Sequence, residues 1–210
     1  MFEKINQEIN NFYNQNLQTH GNTAQGVGWK NKEAQQVRFE QLAKLFSGEN
    51  GFVVNDLGCG TGDFAQYLFD KGFSEFTYTG FDVLEKMVSV ASNIYTDKAN
   101  CLFRQISGAW DMPEADYTVA SGIFNIRYAL TDQEWLDYIL QTITQMNASS
   151  QRGFTFNALT SYSDADKMQQ YLYYSDPLFL FDYCKKNFSR NVALLHDYNQ
   201  YDFTILVRKM

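Results

Sequence analysis

The stretch Asp56-Leu57-Gly58-Cys59-Gly60-Thr61-Gly62 decides how this chain of 210 residues folds. It begins at the end of residues 52–56, Phe52-Val53-Val54-Asn55-Asp56, which predict a buried strand. It also opens residues 61–71, whose apolar positions predict a helix. Glycines at such a junction permit a tight turn and let a ligand approach the backbone closely. The stretch therefore predicts a ligand-binding loop at the end of a strand.

Strands and helices alternate on either side of this loop, which is typical of βαβ units and a mostly parallel sheet. Helices are predicted over residues 31–47, 61–71 and 84–95, and strands over residues 52–56, 76–81, 101–104, 117–120 and 153–156. The sequence Thr131-Asp132-Gln133-Glu134 has the form of a capping box and predicts the start of another helix. The last two strands, residues 192–196 and 203–207, are too close in sequence for a helix between them. They are therefore predicted to form an antiparallel hairpin.

The chain is expected to form a single domain with a small N-terminal addition. Residues 1–20 are predicted as a polar helix, and the glycine-containing residues 21–30 as a loop. We predict a helical cap over residues 1–47 and an α/β core over residues 48–210. The composition of the chain does not change after residue 50 in a way that would indicate another domain boundary.

Composition and charge narrow the classes of function. The formal net charge is −7 and the basic residues are scattered, which disfavours nucleic acid as a partner. The cysteines Cys59, Cys101 and Cys184 form no CxxC pair, so we expect reduced thiols. His20 and His196 have no metal-ligand spacing with a cysteine, and we expect no metal site. The polar N-terminus and the lack of a long apolar run predict a cytoplasmic chain without a membrane segment.

A second candidate ligand contact follows the next predicted strand. Asp82 lies 20 residues after Gly62, where a carboxylate can accept hydrogen bonds from both hydroxyls of a ribose. The NAD-binding pattern GxGxxG would need a glycine at position 63, but Asp63 is there. The residues thus favour an adenosine-type ligand other than NAD, and an NAD-dependent oxidoreductase is kept as an alternative.

The pattern Asp-x-Gly-x-Gly-x-Gly at residues 56–62 resembles the first motif of the class I S-adenosylmethionine-dependent methyltransferases. Phe81-Asp82-Val83 resembles their acidic site after the second strand, and the closing hairpin is similar to theirs. The resemblance covers residues 35–210, and residues 120–125 with 194–198 resemble a bacterial branch of the family. It implies a Rossmann-like three-layer sandwich with a seven-stranded, mostly parallel sheet. It also implies methyl transfer from S-adenosylmethionine.

The resemblance implies roles for residues on the cofactor side. The backbone of Gly58, Cys59 and Gly60 would lie against the aminoacyl part of the cofactor. Asp56 would orient this loop and reach the amino group through water. The remaining positions implied for the cofactor are Asp82 for the ribose, Val83, Ser107, Gly108 and Ala109 for the adenine, and Ser121 beside the methionine and its methyl group.

The acceptor side is less defined, and the catalytic residues are left unknown. Asn125 and Arg127 follow the fourth strand, where the acceptor must bind, and Trp29 could close over the site or simply pack. His196 is a candidate general base or a structural histidine. Arg38 could reach a carboxylate of a ligand or lie on a solvated helix face.

We expect a small-molecule acceptor such as a sugar or another metabolite. The aromatic residues between 171 and 183 could line its pocket or form a helical core or dimer patch. The oligomeric state is expected to be a monomer or homodimer. A non-catalytic protein that binds S-adenosylmethionine is the second alternative.

Overall fold

The computed structural model describes residues 5–9 and 32–209 of the chain, and residues 5–9 are helical. The α-helices that follow are α1 (Lys32–Ala43), α2 (Asp63–Asp70), α3 (Glu85–Ile94), α4 (Asp132–Ala148) and α5 (Pro177–Asn187). The strands are β1 (Phe52–Leu57), β2 (Phe76–Asp82), β3 (Cys101–Gln105), β4 (Ala115–Ala120), β5 (Ser150–Leu159), β6 (Asn191–Leu195) and β7 (Asp202–Arg208). Short 3₁₀ turns lie at Lys44–Phe46, Ala109–Asp111 and Ala165–Lys167.

The seven strands form one sheet in the order β3-β2-β1-β4-β5-β7-β6. The pairs within β3-β2-β1-β4-β5 are parallel, whereas β7 pairs antiparallel with both β5 and β6. This confirms the predicted mostly parallel sheet with an antiparallel closing hairpin. From β1 the chain first adds β2 and β3 on one side of β1 and then adds β4 and β5 on the other side. The strand order therefore reverses at β1. Ligands of open α/β sheets bind at the carboxyl ends of the strands at such a point.

Two hydrophobic clusters cover the two faces of the sheet and make the three layers. One contains Trp135, Ile139 and Ile143 of α4 together with Leu180 of α5. The other contains apolar residues of α1, α2 and α3, among them Phe39, Phe64 and Ala91. The described part of the predicted cap, α1, thus packs into the same cluster as the sheet. The division of the chain at residue 47 stays a prediction.

The capping box starts α4 as predicted. The backbone N–H of Glu134 donates to the Thr131 hydroxyl at 3.3 Å, and the N–H of Thr131 donates to the Glu134 carboxylate at 2.8 Å. These two bonds satisfy amides that the first turn of a helix leaves without partners. The buried indole of Trp135 then donates to the carbonyl of Phe124 at 2.9 Å. It therefore ties α4 to the segment after β4.

Most predicted elements differ by a few residues from their bounds in the structure, and two of these differences have a clear cause. The helix after the glycine loop begins at Asp63 rather than at residue 61, because Gly62 has a left-handed backbone with φ of 86°. The fifth strand is longer than residues 153–156, because β5 pairs along its length with β7, from Gly153–Arg208 to Leu159–Asp202. In the part of the chain that the structure describes, no helix is long and apolar enough to cross a membrane.

Candidate functional site

The glycine loop lies where the strand order reverses, at the carboxyl end of β1. Gly58 has φ of 74°, which side chains rarely tolerate, and a Cβ there would come within 2.3 Å of Cγ2 of Ile123. Ile123 belongs to the segment after β4, the neighbour of β1 on the other side. The absence of a side chain at position 58 therefore lets two strand ends approach each other closely.

The amides of the glycine loop point back to β2. The N–H groups of Gly58 and Cys59 both donate to the carbonyl of Phe81, at 2.7 and 3.0 Å, and the N–H of Gly60 donates to Asp82 Oδ2 at 2.9 Å. These three amides are therefore committed within the protein and are not available to a ligand. Carbonyl oxygens accept hydrogen bonds from an ammonium group but repel a pyrophosphate, which binds through backbone N–H groups. The loop thus argues against the NAD alternative.

Asp82 is held at the end of β2 by the backbone amides of Gly60, Val83 and Leu84. Besides the bond from Gly60, its Oδ1 accepts the N–H of Leu84 at 2.9 Å. Burial raises the pKa of Asp82 above its usual range, and these amide bonds oppose that effect. A carboxylate has about four acceptor positions, so Asp82 can accept a ribose hydroxyl in addition to these three amides. Val83, beside it, lines the same cavity.

Asp56 is buried at the end of β1 and lines the same cavity as Asp82 and Asp63. The buried hydroxyl of Tyr78, on β2, donates to its Oδ2 at 2.6 Å. Burial raises the pKa of Asp56 to about 7, and the Tyr78 hydrogen bond limits that rise. Three carboxyl groups at one end of a cavity create a negative potential there. Such a potential favours a ligand that carries positive charge.

The cavity has a volume of about 1220 Å³. A pocket for one drug-sized ligand measures roughly 300–1,000 Å³, so this cavity has room for a cofactor and a small second molecule. Its described lining includes Asn6, Glu33, Arg38, Asp56, Gly58, Cys59, Gly60, Asp63, Asp82, Val83, Ser107, Gly108, Ala109, Trp110, Ser121, Ile123, Asn125, Tyr128, Tyr138, Tyr171, Tyr183 and Gln200.

The segment after β3 lies at the cavity wall, as predicted for Ser107, Gly108 and Ala109. The N–H of Ser107 donates to Asp111 at 2.8 Å, and its carbonyl accepts from the Asn6 side chain at 2.8 Å. The indole of Trp110 covers Gly108, where a Cβ would lie 2.2 Å from the ring. These contacts place backbone and an aromatic ring, rather than a carboxylate, at this edge of the cavity.

Asn157 of β5 organises the segment after β4. Its buried side chain accepts the N–H of Gly122 at 2.7 Å and donates to the hydroxyl of Ser121 at 3.2 Å. Asn125 also lines the cavity, and its side-chain oxygen accepts the N–H of Leu159 at 3.1 Å. Ser121 and Asn125 are thus presented to the cavity by β5.

Two predicted acceptor-side residues do not line the cavity. Arg127 donates to the carbonyls of Leu130 and Gln170 at 2.6 and 2.7 Å and forms an ion pair with Asp132 at 3.2 Å, so it fastens a loop. His196 is exposed and packs against the rings of Tyr162 and Phe203. The structure engages both side chains in these other contacts, and their roles in the site stay predictions. Trp29 lies outside the described residues.

Arg38 lines the cavity from α1, but it is not on a solvated helix face. It is buried and forms an ion pair with the fully buried Asp202 at the start of β7. It also donates to the carbonyl of Ala34 at 2.8 Å. The pair joins α1 to the strand that closes the sheet. Among the described residues that line the cavity, Arg38 is the single cation.

Sequence reasoning missed three contributors to the site. Tyr78 looked like an ordinary strand residue, because aromatic residues are common in strands. Trp110 carried no motif, although an indole in a loop beside the ligand edge is a weak signal. Asn157 offered a clearer signal, since an amide side chain near the carboxyl end of a buried strand needs a polar partner.

Comparison with known proteins places the site in a family context. A family model described as a methyltransferase domain matches residues 54–147. A protein of Mycobacterium tuberculosis named "Putative methyltransferase Rv1506c" is 51% identical over 166 residues, which are 79% of this chain and 98% of that protein.

Two solved structures with bound S-adenosylmethionine share the fold. The magnesium protoporphyrin IX methyltransferase of Synechocystis PCC 6803 is 16% identical, with a TM-score of 0.60 over 84% of this chain and 80% of that one. Human N-acetylserotonin methyltransferase is also 16% identical, with a TM-score of 0.62 over 92% of this chain and 62% of that one.

Proposed function

Because this chain belongs to the S-adenosylmethionine-dependent methyltransferases, we propose that its glycine loop, Asp56 and Asp82 bind S-adenosylmethionine for methyl transfer to a small, uncharged acceptor. The observation that carries the proposal is the commitment of the loop amides to Phe81 and Asp82. This commitment removes three amides that a pyrophosphate could use, while the carboxylates of Asp56 and Asp82 line the cavity. S-adenosylmethionine brings an ammonium and a sulfonium, and the local chemistry fits both.

The roles of the cofactor-side residues follow from their positions. Asp56 and the carbonyls of the loop would hold the ammonium, and Asp82 would accept the ribose hydroxyls. The adenine would lie between Val83 and the segment at residues 107–109, with Trp110 beside it. S-adenosylmethionine supplies a methyl group bonded to a positively charged sulfur. The protein's task is then to orient the acceptor in line with that bond, which can contribute about 7–11 kcal/mol.

The segment after β4 would present the acceptor. Ser121 and Asn125 line the cavity there, and β5 fixes both. The described lining at residues 121–128, 138–145, 171–172, 183 and 199–201 carries no charged side chain, and the one cation of the described lining, Arg38, is already paired with Asp202. An acceptor with a phosphate at this position would place an anion without a partner in a partly buried site, which is costly. A neutral metabolite such as a sugar fits this lining better.

Calorimetric titration with S-adenosylhomocysteine tests the cofactor assignment. We expect Asp82→Ala to weaken binding at least about tenfold, because hydrogen bonds to a charged group contribute about 1.5–3 kcal/mol. Asp116→Ala is the matched control, since Asp116 also accepts a backbone N–H, that of Val53 at 2.7 Å, but does not line the cavity. Equal losses in the two variants, or no binding by the wild type, would sink the proposal.

The acceptor class has a separate test. Release of S-adenosylhomocysteine would be measured with a panel of neutral methyl glycosides and with the corresponding sugar phosphates. We expect turnover with neutral compounds only, and turnover confined to the phosphates would overturn the assignment of an uncharged acceptor. Because the net charge is −7, nucleic acid is not proposed as a partner. The oligomeric state stays a prediction of monomer or homodimer.

A further inference from the structure

Tyr78 is a buried side chain that the proposed binding mode does not use directly. It lies on β2 and is fully buried. Its ring packs against Phe103, and its hydroxyl makes a 2.6 Å hydrogen bond to Asp56 Oδ2. Asp56 lines the cavity and Tyr78 is not part of the described lining, so the phenol donates to a carboxylate that a ligand can reach. It therefore controls a group that faces the ligand without touching the ligand.

We propose that Tyr78 is a positioning residue of the cofactor site: its hydroxyl holds the Asp56 carboxylate in place and in the ionised form that accepts the ammonium of S-adenosylmethionine. The inference rests on the proposed role of Asp56. It assigns Tyr78 a function in binding rather than only in packing.

The surroundings of Asp56 explain why such a partner is needed. Burial disfavours its charge, and the nearby carboxyl groups of Asp82 and Asp63 disfavour it further. The Cys59 thiol also lies close by, and burial raises its pKa so that it stays neutral. The Tyr78 hydrogen bond is the interaction that lowers the pKa of Asp56, which burial nevertheless raises to about 7. Near neutral pH the charge of Asp56 is thus finely balanced.

Removal of the hydroxyl gives a pH signature that a packing defect would not give. In Tyr78→Phe the titration midpoint of Asp56 should move up by about one pH unit, since a hydrogen bond to a charged group is lost. If the ionised form binds the ammonium, the affinity ratio of wild type to variant should be about tenfold at pH 6 and less than about twofold at pH 8. The amino group of S-adenosylmethionine itself titrates at about pH 8. This titration affects binding to the wild type and to the variant equally, so it cancels in the ratio of their affinities.

The experiment is calorimetric titration of S-adenosylmethionine between pH 6 and 8 with four proteins and a control variant. The four proteins are the wild type, Tyr78→Phe, Asp56→Asn and the double variant. Tyr117→Phe is the matched control, because the Tyr117 hydroxyl also donates to a carboxylate, that of Glu49, at 2.6 Å. Neither Tyr117 nor Glu49 belongs to the described lining of the cavity. For Tyr78→Phe, the ratio of wild-type to variant affinity should approach one as the pH rises. Tyr117→Phe should bind S-adenosylmethionine as tightly as the wild type. Adding Tyr78→Phe to Asp56→Asn should cause no further loss of affinity.

A second variant keeps the test valid if Tyr78→Phe folds poorly. Tyr78→3-fluorotyrosine preserves shape and makes the hydroxyl a stronger donor, so it should move the midpoint down and raise the affinity at pH 6. A loss that is the same at every pH, or that persists in the Asp56→Asn background, would overturn the role of Tyr78. An unchanged affinity in Asp56→Asn would instead overturn the proposed role of Asp56 in the cofactor site.

Discussion

Replacement of Gly58 by alanine tests the geometry on which the site depends. The new Cβ would lie 2.3 Å from Cγ2 of Ile123, whereas carbon atoms prefer separations of about 3.5–4.0 Å. Cγ2 is bonded to Cβ of a β-branched residue, whose χ1 angle is stiff, so the methyl group cannot simply swing away. The backbone of the loop must move instead. That backbone lines the cavity.

Gly72 supplies a control that separates the strain of a left-handed backbone from the steric clash of the new Cβ with Ile123. Gly72 has φ of 80°, close to the 74° of Gly58, but a Cβ at Gly72 would meet nothing within 4 Å. Gly72→Ala should therefore show only the cost of a left-handed backbone, roughly 1–2 kcal/mol of unfolding free energy. Gly58→Ala should lose about 1–3 kcal/mol more, the usual cost of overpacking. Both variants change the unfolded chain equally, so the difference reports the collision.

Urea unfolding and calorimetric titration with S-adenosylhomocysteine measure the two consequences. Gly58→Ala should bind the ligand at least about tenfold more weakly, because the displacement of a positioned backbone costs about 1.4 kcal/mol or more. Gly72→Ala should bind normally. When Ile123→Ala is added, the nearest remaining atom would be the Cβ at 3.6 Å, and the extra loss of stability should disappear. Equal effects of Gly58→Ala and Gly72→Ala would refute the reasoning.

Three further predictions concern charges around the site. In the folded chain Asp56 has its pKa raised from 3.8 to about 7. It therefore keeps a proton that the unfolded chain releases. The free energy of unfolding should then fall as the pH rises between about 4 and 7, and urea unfolding of Asp56→Asn should lack that fall. Arg38→Met should lose about 3–5 kcal/mol, because Asp202 is left buried without its cation, and Asp202→Asn in the same chain should restore much of it. Arg127→Ala and His196→Ala should each bind S-adenosylhomocysteine within about twofold of the wild type, and a tenfold loss in either would contradict their placement outside the cavity.

The sequence predicted the parts of the site that depend on local chemistry. A glycine at position 58 reports a backbone that side chains do not tolerate, and such a requirement is visible in one residue. The position of Asp82 could also be predicted from the sequence, because Asp82 ends an apolar strand at a fixed distance from the glycine run. The capping box at Thr131 needs only four consecutive residues, and it was confirmed.

The contacts that the sequence does not predict concern side chains whose partners lie far away in sequence. Arg38 pairs with Asp202, which is 164 residues later in the chain. The helical pattern of residues 31–47 does not predict that pairing. Arg127 donates to the carbonyl of Gln170, which is 43 residues away. A free cation and a cation committed to a distant carbonyl look identical in a sequence. The topology of the sheet decides between them.

The same distinction explains why the methyl donor is easier to infer than the acceptor. Apart from Ser121, the groups proposed for S-adenosylmethionine lie within residues 56–111, at the ends of three adjacent parallel strands whose register fixes their spacing. The acceptor side is assembled from residues 121–128, 138–145, 171–172 and 199–201, which come from a strand end, a helix and two loops. A change in either loop would reshape the acceptor wall without moving β1 or β2. We therefore expect acceptor preference to respond to substitutions at residues 171 and 200, while affinity for S-adenosylhomocysteine stays constant.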